Sequence, residues 1–393
     1  MTIVDGVKRF DLELRVLLAL TVVNGVAESS LITLLPEIRS DLGLSSLEAG
    51  LALAASTLAM IVVAMPVGNV ANRFGTRALL VTASILIPVA LIGQALASSL
   101  PLLISARFVF GISFGIIWVI APARAAAGGR GASGTGPLIA ASGLGWLLGP
   151  VVAGVVTDAV NWRVALVVLA ALAVPLIPLL LRYAEPRLDG RRLESLRLRQ
   201  AFGVVRGNRI IAGAVLVAAL LGIVSGASGL LIPAAFADNG LSSGRIGLAF
   251  GLAAGVWIAT AALVGRLRAS AVGRRGVGIA VAVMAGAWLL PAFGLSTLSL
   301  LAFLLISTAC RSSINALNYA VGVRASAGDT APAVVGMLNL AWAVMALTTP
   351  LLVGLADGSA GIRAAFALTG VAAASVAVIL LAPSVSRSAR AAT

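Results

Sequence analysis

Histidine is absent from all 393 residues, cysteine and lysine occur once each, and only 11% of the residues are charged. Without histidine, the commonest metal ligand and the ordinary proton carrier near neutral pH are both missing, so any proton relay must run on carboxylates. The lone Cys310 excludes an internal disulfide and a multi-thiolate metal site. A hydrolase triad needs a histidine or lysine base, and the single lysine, Lys8, lies at the terminus. No phosphate-cradling G-x-x-x-x-G-K-[ST] run occurs either, which argues against ATP hydrolysis within the chain. No enzyme activity, cofactor or metal is therefore expected.

What the chain has in excess is apolar side chain. Sixty per cent apolar residues and a mean hydropathy of +1.09 leave too little polar surface to cover a water-soluble globule of this length. The solvent must be lipid. In hydrocarbon every backbone amide needs a partner inside the protein, which leaves helices or a closed barrel. The apolar runs are about 20 residues long and lack two-residue alternation, so they are read as helices. Twelve are expected, at roughly 14–36, 47–68, 78–98, 101–122, 136–157, 164–182, 209–234, 246–266, 277–295, 297–319, 331–355 and 363–382.

A net charge of +14 would suggest nucleic acid in a soluble chain. With the amino terminus inside and twelve spans, however, 22 of the 28 basic residues fall in cytoplasmic segments. Only Arg39, Arg163, Arg245 and Arg363 fall outside, and Arg107 and Arg311 fall within spans. The surplus is a positive-inside bias, and no nucleic-acid partner is expected. Lys8 and Arg9, followed by an apolar run with Gly25 and Ala27 before Glu28, have the outline of a cleavable leader. Cutting there would remove most of the first helix of a repeated unit, so the stretch is read as a span.

That repetition organises the chain. Pro36, Asp41, Gly43, Leu44, Ser45, Ser46, Gly50 and Gly68 recur at a constant shift of 197 as Pro233, Asp238, Gly240, Leu241, Ser242, Ser243, Gly247 and Gly265. Pro150, Gly154 and Arg163 recur at a shift of 200 as Pro350, Gly354 and Arg363, with Asp158 matched one residue short by Asp357. Two parallel copies are an internal symmetry that membrane transporters display. Three segments follow: a six-helix half over 1–181, a central cytoplasmic loop over 182–208, and a second six-helix half over 209–393. The loop is expected to be a solvated linker, although Leu193, Leu196 and Leu198 would also suit an amphipathic surface helix.

Two six-helix halves, both termini inside and a basic middle loop resemble the major facilitator superfamily over the whole chain. Local motifs sharpen the resemblance. Gly68-Asn-Val-Ala-Asn72-Arg73-Phe-Gly75-Thr76-Arg77 is similar to the family's G-x-L-x-D-R-x-G-R-R loop, in which the acid and the basic residues latch the cytoplasmic ends of neighbouring helices. Here Asn72 replaces the acid and Thr76 one of the basic residues, so the latch is weaker or uses another partner. The second copy keeps Gly265, Gly273, Arg274 and Arg275 and is otherwise degenerate. Arg107-Phe-Val-Phe-Gly111 resembles the family's R-x-x-x-G motif, whose arginine is tied to proton transfer. Gly145-Trp-Leu-Leu-Gly149-Pro150-Val-Val-Ala153-Gly154 is similar to the G-x-x-x-G-P-x-x-G-G element of drug:proton antiporters, departing only at Ala153. In physical terms, small residues four apart let two backbones come close, and the proline bends the helix.

Glu28 is the only carboxylate that the expected spans place within hydrocarbon, where a charge costs roughly 2.5 to 3.5 kcal/mol and marks a proton or ligand site by default. It lies about 12 Å beneath Pro36, and Arg107 about 9 Å beneath Pro101, at comparable depth. The resemblance puts the first, fourth, seventh and tenth helices around a central cavity and so places both residues beside it. Deprotonated Glu28 can pair with Arg107, and a proton or substrate that displaces this pairing frees the helices to rock. The alternative is a permanent buried ion pair that never titrates. Asn24, one turn from Glu28, shares its face. Arg311 has no acid at its own depth, and Ser307, Thr308, Ser312, Ser313, Asn315 and Asn318 around it make a polar tract expected to face the cavity; snorkelling to the cytoplasmic face is the other reading. Trp146, Asn339 and Trp342 are candidate substrate contacts, packing being the alternative for each tryptophan. Trp162, beside Arg163, is expected to anchor at the interface.

The chain is therefore expected to be an all-α secondary transporter of the plasma (inner) membrane, a monomer working by alternating access on a small-molecule substrate and protons. Proton-coupled efflux of small hydrophobic compounds is the leading reading, with Glu28 carrying the proton, Arg107 modulating it, and Asn24, Arg311, Asn315 and Asn339 contacting substrate. Two arginines against one glutamate leave the spans net positive, which favours neutral or anionic cargo. Proton symport of an organic or small inorganic anion is one alternative. A non-transporting sensor on the same fold is another.

Overall fold

A computed structural model of the chain describes residues 3–126, 132–183, 198–264, 266, 274–326 and 330–382, and every element among them is helical. The first half contains α1 (Ile3–Asp41), α2 (Ser46–Ala64), α3 (Val67–Phe74), α4 (Thr76–Ala95), α5 (Leu100–Ala126), α6 (Ala132–Ala159), α7 (Trp162–Ala173) and α8 (Leu176–Tyr183). After α9 (Leu198–Gly207) the second half contains α10 (Arg209–Asp238), α11 (Ser243–Val264), α12 (Arg274–Phe293), α13 (Thr297–Ala325), α14 (Ala331–Ala360) and α15 (Ile362–Leu381). Among the described residues twelve spans are long and apolar enough to cross a membrane, with α7 and α8 making one of them on either side of a break at Val174 and Pro175. The expected boundaries hold to within a few residues. The exceptions are α1, which continues through Pro36 to Asp41 because the proline sits inside the helix and does not end it, and α13 and α14, which run on to Ala325 and Ala360, six and five residues past their expected ends.

One apolar cluster draws only on residues between Val16 and Leu180. A second is built almost wholly from residues between Val217 and Leu380, with Leu35 and Ala49 reaching into it. The repeated glycine-leucine-serine-serine turn is the same object in both halves. Gly43 and Gly240 adopt φ of 63° and 77°, a left-handed conformation that a side chain would strain, and each turn releases the chain into the next helix. Ser45 then caps α2 in a box with Glu48, and Ser242, just before α11, accepts at its carbonyl from the Ile246 amide.

These turns hold the halves together at the end of the bundle where α1 finishes, here called the distal end. A Cβ on Gly50 would meet the Pro350 carbonyl carbon at 2.9 Å, and one on Gly247 would meet that of Pro150 at 2.9 Å. A Cβ on Gly154 would likewise meet the Gly244 Cα at 3.0 Å, and one on Gly354 the Leu47 Cα at 3.0 Å. Each copy's serine turn thus docks on the proline-glycine segment of the other copy, backbone against backbone. Acids tie the contact: Ser46 donates to Asp357, Ser242 donates to Asp158 at 2.7 Å, and Ser243 donates to Glu37 at 2.9 Å.

Two expectations change. The end of the central loop is a helix and not plain linker, since Val204 and Val205 of α9 pack on an apolar cluster of Ile211, Val334 and Leu338; Leu193 and Leu196 lie outside the described residues. Trp162 is no interfacial anchor. It is 4% exposed within the first half's core, with the Arg163 guanidinium 4.2 Å above its ring and bonded to the Ala95 and Ala97 carbonyls and to Asp41.

Candidate functional site

Helix α1 divides its faces by residue size. Gly25 and Ser29 lie against α6, where a Cβ on Gly145 would meet the Gly25 Cα at 2.9 Å and one on Gly149 would meet the Val26 Cα at 3.0 Å. Ser29 donates to its own Gly25 carbonyl at 2.8 Å and across to that of Gly145 at 3.3 Å. The four-residue glycine spacing of α6 is therefore filled by helix backbone. Glu28 and Ile32, one turn apart, face a cavity of about 100 Å³ between the halves.

Six helices from both halves wall this cavity. Beside α1 stand Ser56 and Met60 of α2, Phe114 of α5 and Trp146 of α6; Ser225 of α10 and Trp342 of α14 face them. The wall is apolar and aromatic except for Glu28 and a few hydroxyls. Two sequence-predicted contacts, Trp146 and Trp342, line it. Asn24 is buried behind it, with its Oδ1 lacking a hydrogen-bond partner. Asn339 accepts a hydrogen bond from Tyr319 and Asn315 lies half-buried on α13; neither lines this cavity.

Arg107 lies just behind the wall and is 1% exposed. Its Nη2 donates to Glu28 Oε2 at 3.1 Å and to Ser56 Oγ at 2.6 Å, and the guanidinium stands 5.3 Å from the Phe110 ring centre. Nε and Nη1 are buried without partners. The Glu28 side chain is 22% exposed and so meets both the buried cation and the cavity. A carboxylate so placed can exchange its arginine for a proton or a ligand without leaving the wall.

Arg311 sits behind the facing wall. Its Nη2 donates to Ser225 Oγ at 2.9 Å, Nη1 reaches Ser228 Oγ at 3.5 Å, and the guanidinium lies 5.8 Å from the Trp257 ring centre. Trp342 Nε1 donates to the same Ser225 Oγ at 3.3 Å. Arg311 is therefore held by hydroxyls and a ring, and does not snorkel. The polar tract around it does not form one cavity-facing stripe: Ser307 accepts from Trp288 at 3.0 Å, Ser312 donates to the Trp257 carbonyl at 2.8 Å and Asn318 to that of Ala214 at 2.9 Å. These side chains stitch α13 to α12, α11 and α10.

A family model described as Major Facilitator Superfamily matches residues 17–275, about two thirds of the chain. The chain belongs to the major facilitator superfamily. The fold agrees with solved members. A point mutant of the nucleoside transporter NupG superposes with a TM-score of 0.77 at 12% identity over 94% of this chain and 99% of that one. A bacterial homologue of the human lysosomal transporter Spinster, inward-facing and occupied, gives 0.77 at 14% identity over 93% and 95%. A POT family transporter in complex with 5-aminolevulinic acid gives 0.77 at 13% over 94% and 95%. No curated protein matches the sequence.

Within the superfamily frame, the loop motif after α2 folds as the short helix α3, closed by Gly75 at φ 89°, whose amide bonds the Ala71 carbonyl at 2.8 Å. Arg77 donates to the Leu181 carbonyl and so ties α4 to α8, while Arg73 lies over the ring of Phe74. Gly68 is buried and Asn72 exposed. Gly265 and Gly273 of the degenerate copy lie outside the described residues. Near this end the structure reveals a buried acid that the sequence reading missed. Glu13 accepts from both Nε and Nη2 of Arg124, and both side chains are 4% exposed. Arg124 Nη1 also reaches Thr76 Oγ1 at 3.4 Å, the position where the family motif carries a basic residue. Glu28 is thus not the only carboxylate buried along the spans. The expected spans stopped at 14 and 122, one and two residues short of the pair, which left both partners in loops on paper; their equal depth on α1 and α5 was the available signal.

Proposed function

We propose that this chain is a proton-coupled secondary transporter of small hydrophobic compounds that works by alternating access, and that it exports them from the cytoplasm with both termini inside. One observation carries the reading: Glu28 lines the cavity between the halves while its carboxylate is held by the buried Arg107 at 3.1 Å. Protonating Glu28 releases Arg107, and restoring the pair demands loss of the proton, so occupancy of the cavity and protonation compete for one carboxylate. Breaking such a buried pair costs several kcal/mol unless something else compensates the freed charge, and this supplies the coupling. Trp146, Trp342 and Phe114 offer flat apolar surface to cargo. The glycine-packed seams of α2 with α14 and α6 with α11 are the surfaces along which the halves slide and part, while the seam of α1 with α6 lies within the first half.

The test uses everted membrane vesicles with an acid interior. Wild type is expected to accumulate the neutral probe N-phenyl-1-naphthylamine as long as the gradient lasts, and Glu28→Gln to abolish that accumulation at equal amounts of folded protein. Accumulation by E28Q at the wild-type rate refutes the proton-carrying role. Arg311, which pairs with no carboxylate among the described residues, favours the symport of an anion as second reading. Under it, the acid interior would instead drive preloaded carboxyfluorescein out of the vesicles.

A further inference from the structure

The shift of 197 that superposes the two copies also runs through the cavity wall. It carries Glu28 onto Ser225 and Ile32 onto Gly229, and all four line the cavity. It carries Phe114, also in the wall, onto Arg311, and Met60 onto Trp257. Helices α5 and α13 begin at Leu100 and Thr297, so the register of the shift holds there too. Arg107 and Arg311 are not copies of each other. They reach equivalent positions of α1 and α10 from different turns, and at one of these positions stands a carboxylate and at the other a serine.

From this asymmetry we infer that the cavity takes an aromatic or otherwise flat organic anion, whose negative group pairs with Arg311 in the place where the first half keeps its own Glu28. Three observations converge. Arg107 is neutralised from within the protein, at 3.1 Å from Glu28, whereas among the described residues Arg311 meets only the hydroxyls of Ser225 and Ser228 and the face of Trp257. An arginine inside a span without a counter-charge is costly, and an anion that arrives with the cargo removes that cost. Arg311 does not itself line the cavity, but it is partly exposed where Arg107 is 1% exposed, and its partner Ser225 is part of the wall. Finally, Ser225 is shared: its Oγ accepts from both Arg311 Nη2 and Trp342 Nε1, which places two donors around one small acceptor on the wall. A carboxylate or sulfonate has the lone pairs to take both donors at once. Its ring then lies between Trp342 and Trp146. The inference rests on reading the cavity as the transport site, and deepens it by naming the charge and shape of the cargo.

Equilibrium binding to the purified full chain tests this without any flux. Calorimetric titration compares 2-naphthoate with 2-naphthamide and 2-naphthylmethylammonium, which differ in charge and keep the ring. Naphthoate is expected to bind at least about 30-fold more tightly than either, the ratio set by one desolvated charge pair. Arg311→Gln is expected to erase that preference. Ser225→Glu, which places an acid at the counterpart of Glu28, is expected to erase it by occupying Arg311 internally. Should S225E fail to fold, as judged by gel filtration, R311Q decides alone. Amide and carboxylate binding within about threefold of each other, R311Q retaining naphthoate affinity, or no heat and no Tm shift with naphthoate up to its solubility limit each overturn the inference. Unimpaired acid-driven flux in E28Q would instead sink the proton coupling and leave this measurement standing.

Discussion

In the first half Arg107 reaches Glu28 on α1; in the second, Arg311 reaches Ser225, at the position of α10 that duplication makes the counterpart of Glu28. One chain thus contains both a closed charge pair and an open one, on opposite walls of the same cavity. The comparison teaches that a duplicated scaffold can divide its work. Under the proposed function, the half that carries the acid senses protons, and the half with a serine in that place takes its negative charge from the cargo. Outside the cavity the halves stay alike, as the distal contacts show: each serine turn packs on the other copy's proline-glycine segment with nearly the same spacing.

Substitution can break this comparison, and the largest effect is expected where a pair is already closed. Arg107→Ala takes from Glu28 its buried cation, and Glu13→Gln takes from Arg124 the carboxylate that accepts from its Nε and Nη2; each is expected to lower stability by about 3 to 5 kcal/mol, read as a fall in Tm of the purified protein. An equal fall for Arg311→Ala would mean that Arg311 is paired after all. Next come the glycines of the distal seam. Gly50→Leu and Gly247→Leu are expected to cost at least about 1 to 3 kcal/mol each through overpacking, and to speed hydrogen exchange in α2 with α14 and in α6 with α11 respectively. Protection that stays unchanged in either variant would deny that the two contacts are equivalent.

Arg311→Ala should cost only about 1 kcal/mol, because it removes hydrogen bonds to hydroxyls and leaves no opposing charge buried. The smallest net change is expected from moving the acid across the cavity. Glu28→Ser with Ser225→Glu frees one arginine while pairing the other, so the double variant should lie within about 1 kcal/mol of wild type, although E28S alone is markedly less stable. Naphthoate binding in the double variant is expected to depend on Arg107 and no longer on Arg311. Binding that still depends on Arg311 would show that the two positions are not interchangeable.

Much of this was open to reading before any coordinates. Apolar run length places all twelve spans, because lipid leaves the backbone no partner except its own helix. The repeat announced the two-half plan, and the cost of a charge in hydrocarbon singled out Glu28, Arg107 and Arg311. Those arguments concern one helix at a time. The pairing of Glu13 with Arg124 escaped them because it lies at helix ends, where a boundary error of two residues turns a buried charge into a loop charge. Trp162 escaped them because an aromatic beside an arginine looks the same in sequence whether it faces headgroups or a protein core.

Composition and periodicity, then, settled that the chain spans lipid twelve times in two similar units, since hydrogen-bond satisfaction and desolvation act locally along a helix. Which side chains meet was decided only by packing between helices. Nothing along α13 says that Arg311 will find hydroxyls in place of an acid. That depends on the register of α13 against α10, which close contacts spread over the whole bundle determine, and a change of one turn at that seam would pair the arginine with different neighbours.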